Sequence, residues 1–466
     1  MITNTHKHLL FLSCLFLSLY IYTVAPNTVV ATINTGINPA GIAVTPNGKY
    51  AYVANNNNYG LPGADSISVL NLENNTLEFT ITSTTFNEPY TITINKAGTR
   101  AYVSNSNSTT VSIINLENNT VIKTIGGFDG PSGFTIIPSL HRAYVNNYGG
   151  PEGVGSGNAT TIHVVDLLTE TIVGPAITVD LAPAALARTP DGAFVYVINY
   201  TDGCPGNGTI NVIRTSDNTV VATIPGLSGP FGISITPNGK YAYVTNFGSN
   251  NFVPIGSTLS VVDLDTNTII KTIDLAIQPS GVDITPDGKY AYISNYNTLY
   301  ADFSLTASTF NDLTAGMGTV NIIDTETHTV IPPTIAVGQS PANIVISPSG
   351  EYAYVSNYTS NTVNVIALQS FAIEAQGCKM ENQFLNHTDI TNRLTWSASG
   401  PSLPVSYSLY RDAALTNLIA VIPATGALEY FDHNRLPDVT YTYYLVGTNA
   451  VGTTSHPVAI TVTETC

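Results

Sequence analysis

Residues that could perform acid–base or metal chemistry are few in this chain of 466 residues. Between residues 26 and 370 the histidines are His141, His163 and His328, which are widely separated in the sequence. No Cys-x-x-Cys, His-x-x-x-His or Cys-x-x-Cys-His spacing occurs, although these spacings supply the usual ligands of zinc, iron–sulfur and haem centres. The sequence therefore predicts no catalytic residue, no cofactor and no metal centre.

Carboxylates are the remaining candidates for chemistry. Asp283 is the one acid in the first strands of the repeats described below, and a single carboxylate without a partner is weak support for hydrolysis. Oxygen ligands for Ca²⁺ could come from the segment Asp202–Asn207 or from Asp302 together with Asp312. Acids solvated in loops explain these residues more simply, so we assign no metal site to them.

These residues are set in a sequence repeat. The tetrapeptide Tyr-Val-x-Asn, or a close variant, occurs seven times and ends at Asn55, Asn105, Asn147, Asn199, Asn246, Asn295 and Asn357. The full unit is Pro39–Asn55, and it returns almost unchanged at Pro230–Asn246 and Pro279–Asn295. A spacing of roughly 42–62 residues with four short apolar runs per unit is typical of a β-propeller. We predict an all-β chain with a seven-bladed β-propeller over residues 26–370, followed by a small β-sandwich over residues 376–466.

Each unit predicts how its blade packs and how the ring closes. In the second strand Tyr241 and Tyr243 face one side and smaller residues face the other, so neighbouring blades can nest. We interpret the repeated Asn as structural, because its side chain can bond backbone at the strand end and tolerates a left-handed φ. The run Thr28–Ile33 matches the fourth strands of other units, and we expect it to complete the last blade beside Thr362–Leu368.

The repeat resembles the YVTN family of β-propeller repeats over all seven units, through the elements Pro-x-Gly-Ile-x-Val-Thr-Pro-Asp/Asn-Gly-Lys and Tyr-Val-x-Asn; blades 2 and 3 depart from it at the turn, with Asn95–Gly98 and Pro138–His141. This resemblance implies a cell-envelope or cell-surface location and no single activity. The tail resembles a fibronectin type III module, in Trp396, Tyr407–Arg411, Tyr430–Asp432 and Thr440–Val446, with Tyr441 in the tyrosine-corner position. That resemblance implies a spacer or an adhesive unit.

Charge and the N-terminal residues indicate export. Residues 1–25 read as a signal peptide, because Lys7 precedes the apolar run Leu9–Val24; an uncleaved anchor is the alternative. The net charge of −16 and the lack of a basic cluster exclude nucleic acid as a partner, and no other stretch predicts a membrane span. We expect a secreted, periplasmic or cell-surface protein. Export permits a disulfide between Cys378 and Cys466, which bracket the tail, and leaves Cys204 over.

The insertions point to one face of the propeller. Long connections collect between second and third strands, as in Asn295–Gly318, and such loops emerge on a single face. On that face an aromatic residue follows the repeated Asn in five units: Tyr148, Tyr200, Phe247, Tyr296 and Tyr358. Rings beside Asn, Asp and Gly suit sugar rings or peptides, although they could instead fill gaps between blades.

Three functional hypotheses follow. The first is an exported, non-enzymatic binding or adhesion protein whose looped face takes a glycan or an extracellular protein ligand. The second is a lactonase-like hydrolase or lyase with a site at the mouth of the central channel. The third is a structural component of the cell envelope.

Overall fold

The computed structural model describes residues 27–57, 65–149, 159–201, 205–248, 256–297, 317–368, 372–383, 388–399, 404–449 and 457–463. The chain forms two compact units, one spanning Pro26–Gln369 and one that contains Ser370–Cys466. Residues 1–25, which we predicted to be a signal peptide, lie outside the described residues. No helix among the described residues is long and apolar enough to cross a bilayer.

The first unit is a seven-bladed β-propeller of antiparallel sheets. Blades 1 and 2 consist of β2 (Pro39–Val44), β3 (Tyr50–Asn55), β4 (Ser66–Asn71), β5 (Thr76–Thr82), β6 (Pro89–Ile94), β7 (Arg100–Asn105), β8 (Thr110–Asn115) and β9 (Thr120–Gly126). Blades 3 and 4 consist of β10 (Pro131–Ile137), β11 (Arg142–Asn147), β12 (Thr161–Asp166), β13 (Thr171–Ile172), β14 (Ile177–Thr178), β15 (Pro183–Arg188), β16 (Phe194–Asn199), β17 (Gly208–Arg214) and β18 (Thr219–Leu227). A short 3₁₀ helix, Pro138–Leu140, joins β10 to β11.

The remaining blades follow the same plan. Blades 5 and 6 consist of β19 (Pro230–Ile235), β20 (Tyr241–Asn246), β21 (Thr258–Asp263), β22 (Thr268–Asp274), β23 (Pro279–Ile284), β24 (Tyr290–Asn295), β25 (Thr319–Asp324) and β26 (Thr329–Ala336). Blade 7 consists of β27 (Pro341–Ile346), β28 (Tyr352–Asn357), β29 (Thr362–Ala367) and the N-terminal strand β1 (Thr28–Asn34).

The ring closes through β1, as the sequence predicted. This strand runs antiparallel to β29, from the pair Thr28 and Ala367 to the pair Asn34 and Thr362. The first strand of each blade packs against the first strand of the next, and β27 packs against β2 to complete the circle. The last blade takes strands from both ends of the unit, so hydrogen bonds between β1 and β29 hold the two ends of the ring together.

The blades nest through the alternation of large and small residues in their second strands. Tyr243 is fully buried against Ala291 of the following blade, and the same pairing of one tyrosine with one small residue recurs at each interface. The pairs are Tyr52 with Ala101, Tyr102 with Ala143, Tyr144 with Val195, Tyr196 with Ala242, Tyr292 with Ala353 and Tyr354 with Ala51. Seven clusters of apolar side chains therefore form the core, one between each pair of neighbours.

In five of the seven blades the hydroxyl of this tyrosine is hydrogen-bonded to a described residue of the next blade. Tyr196 Oη donates to Asn267 Oδ1 at 2.8 Å, and Tyr243 Oη lies 2.7 Å from Nδ1 of His328. Both partners occupy the turn between third and fourth strands and have left-handed backbone, with φ of 54°. His328 thus takes part in a contact between blades.

The repeated Asn is structural, and its side chain bonds side chains as well as the predicted backbone groups. Its side-chain nitrogen donates to polar side chains on the third strand of the same blade, as Asn246 does to Thr258 and Ser260, both at 2.9 Å. The seven asparagines are absent from the positive-φ residues, so they end an extended strand. The predicted bond to backbone also occurs, since Oδ1 of Asn147 and of Asn246 accepts from the backbone N–H of Asp129 at 3.1 Å and of Ser228 at 3.3 Å. The predicted left-handed φ was wrong, because each of these asparagines is still part of its extended strand.

The second unit is a small β-sandwich. One sheet has the order β30 (Ala372–Gln383), β31 (Thr388–Ser399), β34 (Glu429–Asp432), and the other has the order β33 (Leu418–Pro423), β32 (Pro404–Tyr410), β35 (Tyr441–Asn449), β36 (Val458–Val462). Trp396 is buried in its core against Tyr407. Cys378 is disulfide-bonded. Its predicted partner Cys466 lies outside the described residues, as does Cys204, so that pairing stays a prediction.

Candidate functional site

The residue after the repeated Asn is held in the same way in every blade. Its backbone N–H donates to the carbonyl oxygen of the residue that precedes the first-strand Pro, for example Tyr296 to Gln278 at 2.8 Å and Phe247 to Gly229 at 3.0 Å. That accepting residue has a left-handed φ of 50–58° in all seven blades. This hydrogen bond lies just beyond the end of the sheet and fixes the backbone of the residue after the repeated Asn in each blade.

The first strands contribute a second set of side chains to the same place. A β-bulge follows the Pro in each first strand, so the residue after the Pro and the residue three further on share one side. In an unbroken strand residues three apart would face opposite sides. The bulge thereby directs Tyr90 and Phe231, each of which follows the Pro, toward the axis of the ring.

A pocket of about 310 Å³ lies where these two sets of residues meet. Every blade contributes to it through the residue after the first-strand Pro: Ala40, Tyr90, Ser132, Ala184, Phe231, Ser280 and Ala342. Four of the predicted site residues, Tyr148, Phe247, Tyr296 and Tyr358, also line it. The pocket is therefore the mouth of the axial channel on the face that carries the long connections.

Tyr200 is the predicted site residue that the structure does not place on this pocket. Its hydroxyl donates to the carbonyl oxygen of Gly248 in the next blade, at 2.7 Å. This bond agrees with the alternative that an aromatic residue at this position fills the space between blades. The long connections themselves fall largely outside the described residues, including 249–255 and 298–316.

The aromatic rings form a continuous row along one side of the pocket. The ring of Phe231 lies 5.1 Å from that of Phe247, Phe247 lies 5.9 Å from Tyr296, and Tyr296 lies 6.5 Å from Tyr358. Tyr358 Oη then donates to Oδ1 of Asn56 at 3.4 Å. The row presents flat apolar surface with polar groups at its end, which is the composition that ring-shaped polyhydroxylated ligands require.

The electrostatics of the pocket favour neutral ligands. Burial raises the pKa of Tyr148 to about 12, with a contribution from nearby Tyr200, and burial also raises the pKa of Tyr90 beside the phenols of Tyr148 and Tyr358. These hydroxyls are therefore neutral donors at pH 7. Among the described residues lining the pocket, Glu88 is the single charged one. A phosphate or carboxylate ligand would find no basic partner there.

Three residues of this site escaped the sequence analysis: Tyr90, Phe231 and Glu88. The signal for them was present, because all three flank the Pro at the start of a repeat, Glu88 before it and the others after it. The pattern that predicted the other site residues lies after the repeated Asn, at the opposite end of the unit from this Pro. The bulge that turns the residue after the Pro toward the axis has no signature in a pattern of alternating residues.

Asp283 lies deeper in the channel wall. It is the fifth residue of the first strand in blade 6, and it accepts hydrogen bonds from the backbone N–H of Ile346 at 2.8 Å and of Ile284 at 2.9 Å. Burial raises its pKa to about 6, although these bonds favour the ionised form. The side chain is half-buried, and its carboxyl is mostly protonated below about pH 6 and mostly ionised at pH 7.

A second concavity, of about 780 Å³, lies at the opposite ends of the first strands in blades 2 to 4. Its lining includes Lys96, Arg188 and Asp191, which carry both signs of charge. Arg188 donates to the carbonyl oxygens of Thr189 and Pro190. No aromatic residue is among the described residues that line this concavity, in contrast to the pocket on the looped face.

The calcium ligands that the sequence offered in the loops stay untested. Asp202, Asp302 and Asp312 lie outside the described residues. Within the described ranges, no group of three or more His, Cys, Asp or Glu side chains could hold a metal ion.

Comparisons with known proteins agree with this fold. A sequence model of the family described as "Lactonase, 7-bladed beta-propeller" matches residues 18–132, about a quarter of the chain. No curated protein matches the chain. Among solved structures the chain is similar to Kuenenia stuttgartiensis hydrazine synthase, with a TM-score of 0.58 and 21% identity over 71% of this chain and 96% of that one. At this identity the likeness shows the propeller fold and carries no activity.

Proposed function

We propose that the protein binds a small, neutral, polyhydroxylated ligand, a saccharide in the first place, in the pocket at the mouth of the axial channel. The observation that supports this most strongly is the row of rings from Phe231 to Tyr358 in a concave site shared by all seven blades. Stacking of a sugar ring on an aromatic face uses the apolar C–H side of the sugar, while the phenol hydroxyls can bond its rim.

The size of the pocket limits the ligand. A volume of about 310 Å³ is at the lower end of the range for small-molecule sites, which accommodates about one or two sugar rings. An extended peptide would need a longer groove. We therefore favour a terminal sugar, alone or at the end of a chain, over the protein ligand that the sequence also allowed.

Binding of the purified protein to a glycan array, followed by calorimetry with the best ligand, tests the proposal. We expect Tyr296→Ala and Tyr148→Ala each to weaken binding about tenfold, the effect of losing about 1.4 kcal/mol of stacking. Phe79→Ala is the matched control, because this ring is exposed on β5 at the outside of blade 1. Binding that is absent, or that changes equally in all three variants, would refute the site.

A lactonase-like hydrolase is the second candidate, favoured by the match to a family described as lactonase and by one carboxylate in the pocket. Burial raises the pKa of Glu88, and the nearby charge of Asp65 adds to this rise. A carboxylate poised in this way can act as a general base toward water. Hydrolysis of a neutral sugar lactone that is lost in Glu88→Gln or Asp283→Asn, with the glycan array empty, would favour this candidate over the first.

We also propose a setting for the propeller. The C-terminal unit supports a fibronectin type III-like module through the strand order of its two sheets and its buried Trp396. A tyrosine corner is supported by the hydrogen bond that the N–H of Leu436 donates to Tyr441 Oη at 3.1 Å. With the apolar leader in residues 1–25, this supports an exported protein that carries its binding face on a spacer. N-terminal sequencing of the protein recovered outside the cytoplasm would test export.

A further inference from the structure

Two acidic residues, Asp65 and Glu88, lie close to each other beside the axial pocket. Asp65 is the residue before β4 in blade 1, and Glu88 is the left-handed residue before β6 in blade 2. The backbone N–H of Glu88 donates a hydrogen bond to the Asp65 carboxylate, which joins the two segments. Glu88 also lines the pocket, yet its side chain is nine-tenths buried, with 8% of its surface exposed.

Each carboxylate keeps one oxygen without a partner. Asp65 Oδ1 and Glu88 Oε2 are buried and accept no hydrogen bond. The other Glu88 oxygen, Oε1, accepts from Nδ2 of Asn107 at 3.3 Å, and the side chain of Asn57 donates to Asp65. Over the described part of the chain, no Lys, Arg or His forms an ion pair with Asp65 or Glu88.

Two neighbouring carboxylates, one buried and one half-buried, that have no positive partner are unfavourable unless something neutralises them, either a shared proton or a bound cation. We propose that a divalent cation, Ca²⁺ in the first place, binds between Asp65 and Glu88 and bridges blades 1 and 2 beside the pocket. The donors are oxygens alone, which suit Ca²⁺ and exclude a preference for zinc or copper. Ca²⁺ also tolerates irregular geometry better than Mg²⁺ does.

This site has few charged ligands, and its affinity should be modest as a result. Two carboxylates, with amide groups and water completing the shell, suggest a dissociation constant on the order of 10⁻⁴ to 10⁻³ M, as in extracellular calcium modules. The inference does not depend on the sugar proposal. A cation can hold the two blades together whatever the pocket binds.

Thermal unfolding of the intact chain tests the site, after dialysis against EDTA and then with 10 mM CaCl₂ or MgCl₂ at pH 7.5. We expect Ca²⁺ to raise the Tm by about 2–4 °C and Mg²⁺ to raise it less. Glu88→Gln and Asp65→Asn should abolish the shift. Glu117→Gln is the control, because it removes the same charge from an acid in the turn after β8, away from the site. This variant should keep the calcium-dependent shift in Tm.

Terbium provides a readout that does not depend on stability. Tb³⁺ at the site should show luminescence sensitised by Tyr90, two residues from Glu88, and added Ca²⁺ should quench it by competition. Asp65→Asn should reduce the luminescence even if Glu88→Gln fails to fold. If Ca²⁺ leaves the wild-type Tm unchanged, or shifts wild type and both variants equally, the proposal is wrong. A Tm that rises in Glu88→Gln without calcium, and in the wild type as the pH falls, would identify a shared proton instead.

Discussion

Removing the buried side chain of the closing strand should destabilise the propeller strongly. Ile33 in β1 is 3% exposed and packs in the cluster between blades 7 and 1, among Ile42, Val363 and Tyr354. Ile33→Ala removes three carbons, worth about 0.8 kcal/mol each on transfer from water. Incomplete relaxation around the cavity raises the expected loss of unfolding free energy to about 3–4 kcal/mol.

The matched control lies three residues away in the same strand. Val30 is 37% exposed, so Val30→Ala should change the unfolding free energy by less than about 0.5 kcal/mol. Both substitutions shorten a β-branched residue in β1 and leave the backbone in place; Ile33 pairs with Val363, whereas Val30 lies at the bulge in the pairing with β29. The difference between the two variants therefore measures mainly the packing of the closing strand.

Differential scanning calorimetry measures this difference, because the propeller and the sandwich can give separate transitions. For a unit of this size, about 3–4 kcal/mol corresponds to a fall in Tm of about 5 °C. A propeller transition in Ile33→Ala that lies within 1 °C of the Val30→Ala transition would show that β1 does not seal the ring. Closure of the ring would then depend on contacts other than the packing of β1.

Two further predictions concern contacts between blades and the channel. Tyr243→Phe removes the hydrogen bond to His328 and should cost about 1–2 kcal/mol, measured by denaturant unfolding; no loss would mean that water replaces the bond. Burial raises the folded-state pKa of Asp283 from 3.8 to about 6, so the stability that its protonated form contributes is complete below about pH 4 and is lost as the pH rises through about 6. The wild type should therefore lose about 2 kcal/mol relative to Asp283→Asn between pH 4 and pH 7, and an unchanged difference between the two proteins would contradict the shift.

Much of the fold could be predicted because local signals repeat. The tight turn after each first strand, the Tyr-Ala-Tyr alternation and the match of Thr28–Ile33 to other fourth strands are all readable from neighbouring residues. Each is decided within about fifteen residues of chain, where the strand period and turn chemistry act. The ring then follows, since seven equal wedges with one missing strand can close in one way.

The site could be predicted only in part. The residue after the repeated Asn was found because its place in the unit is constant, and Tyr148, Phe247, Tyr296 and Tyr358 do line one pocket. Tyr200 was included on the same grounds, but its hydroxyl bonds Gly248 of the next blade. Whether a ring lines the axis or fills a gap between blades depends on the neighbouring blade, which the sequence of one repeat does not contain.

By itself the sequence determined the strands, their order in each blade and the closure of the ring, since these depend on residue alternation and turns. Only the tertiary structure decided which side chains share the axis. The β-bulge after each Pro turned Tyr90 and Phe231 inward, and the approach of blades 1 and 2 brought Asp65 to Glu88, 23 positions apart in the chain. Such neighbours depend on a bulge within a strand and on how one blade packs against the next, which the alternation of residues in a repeat does not record.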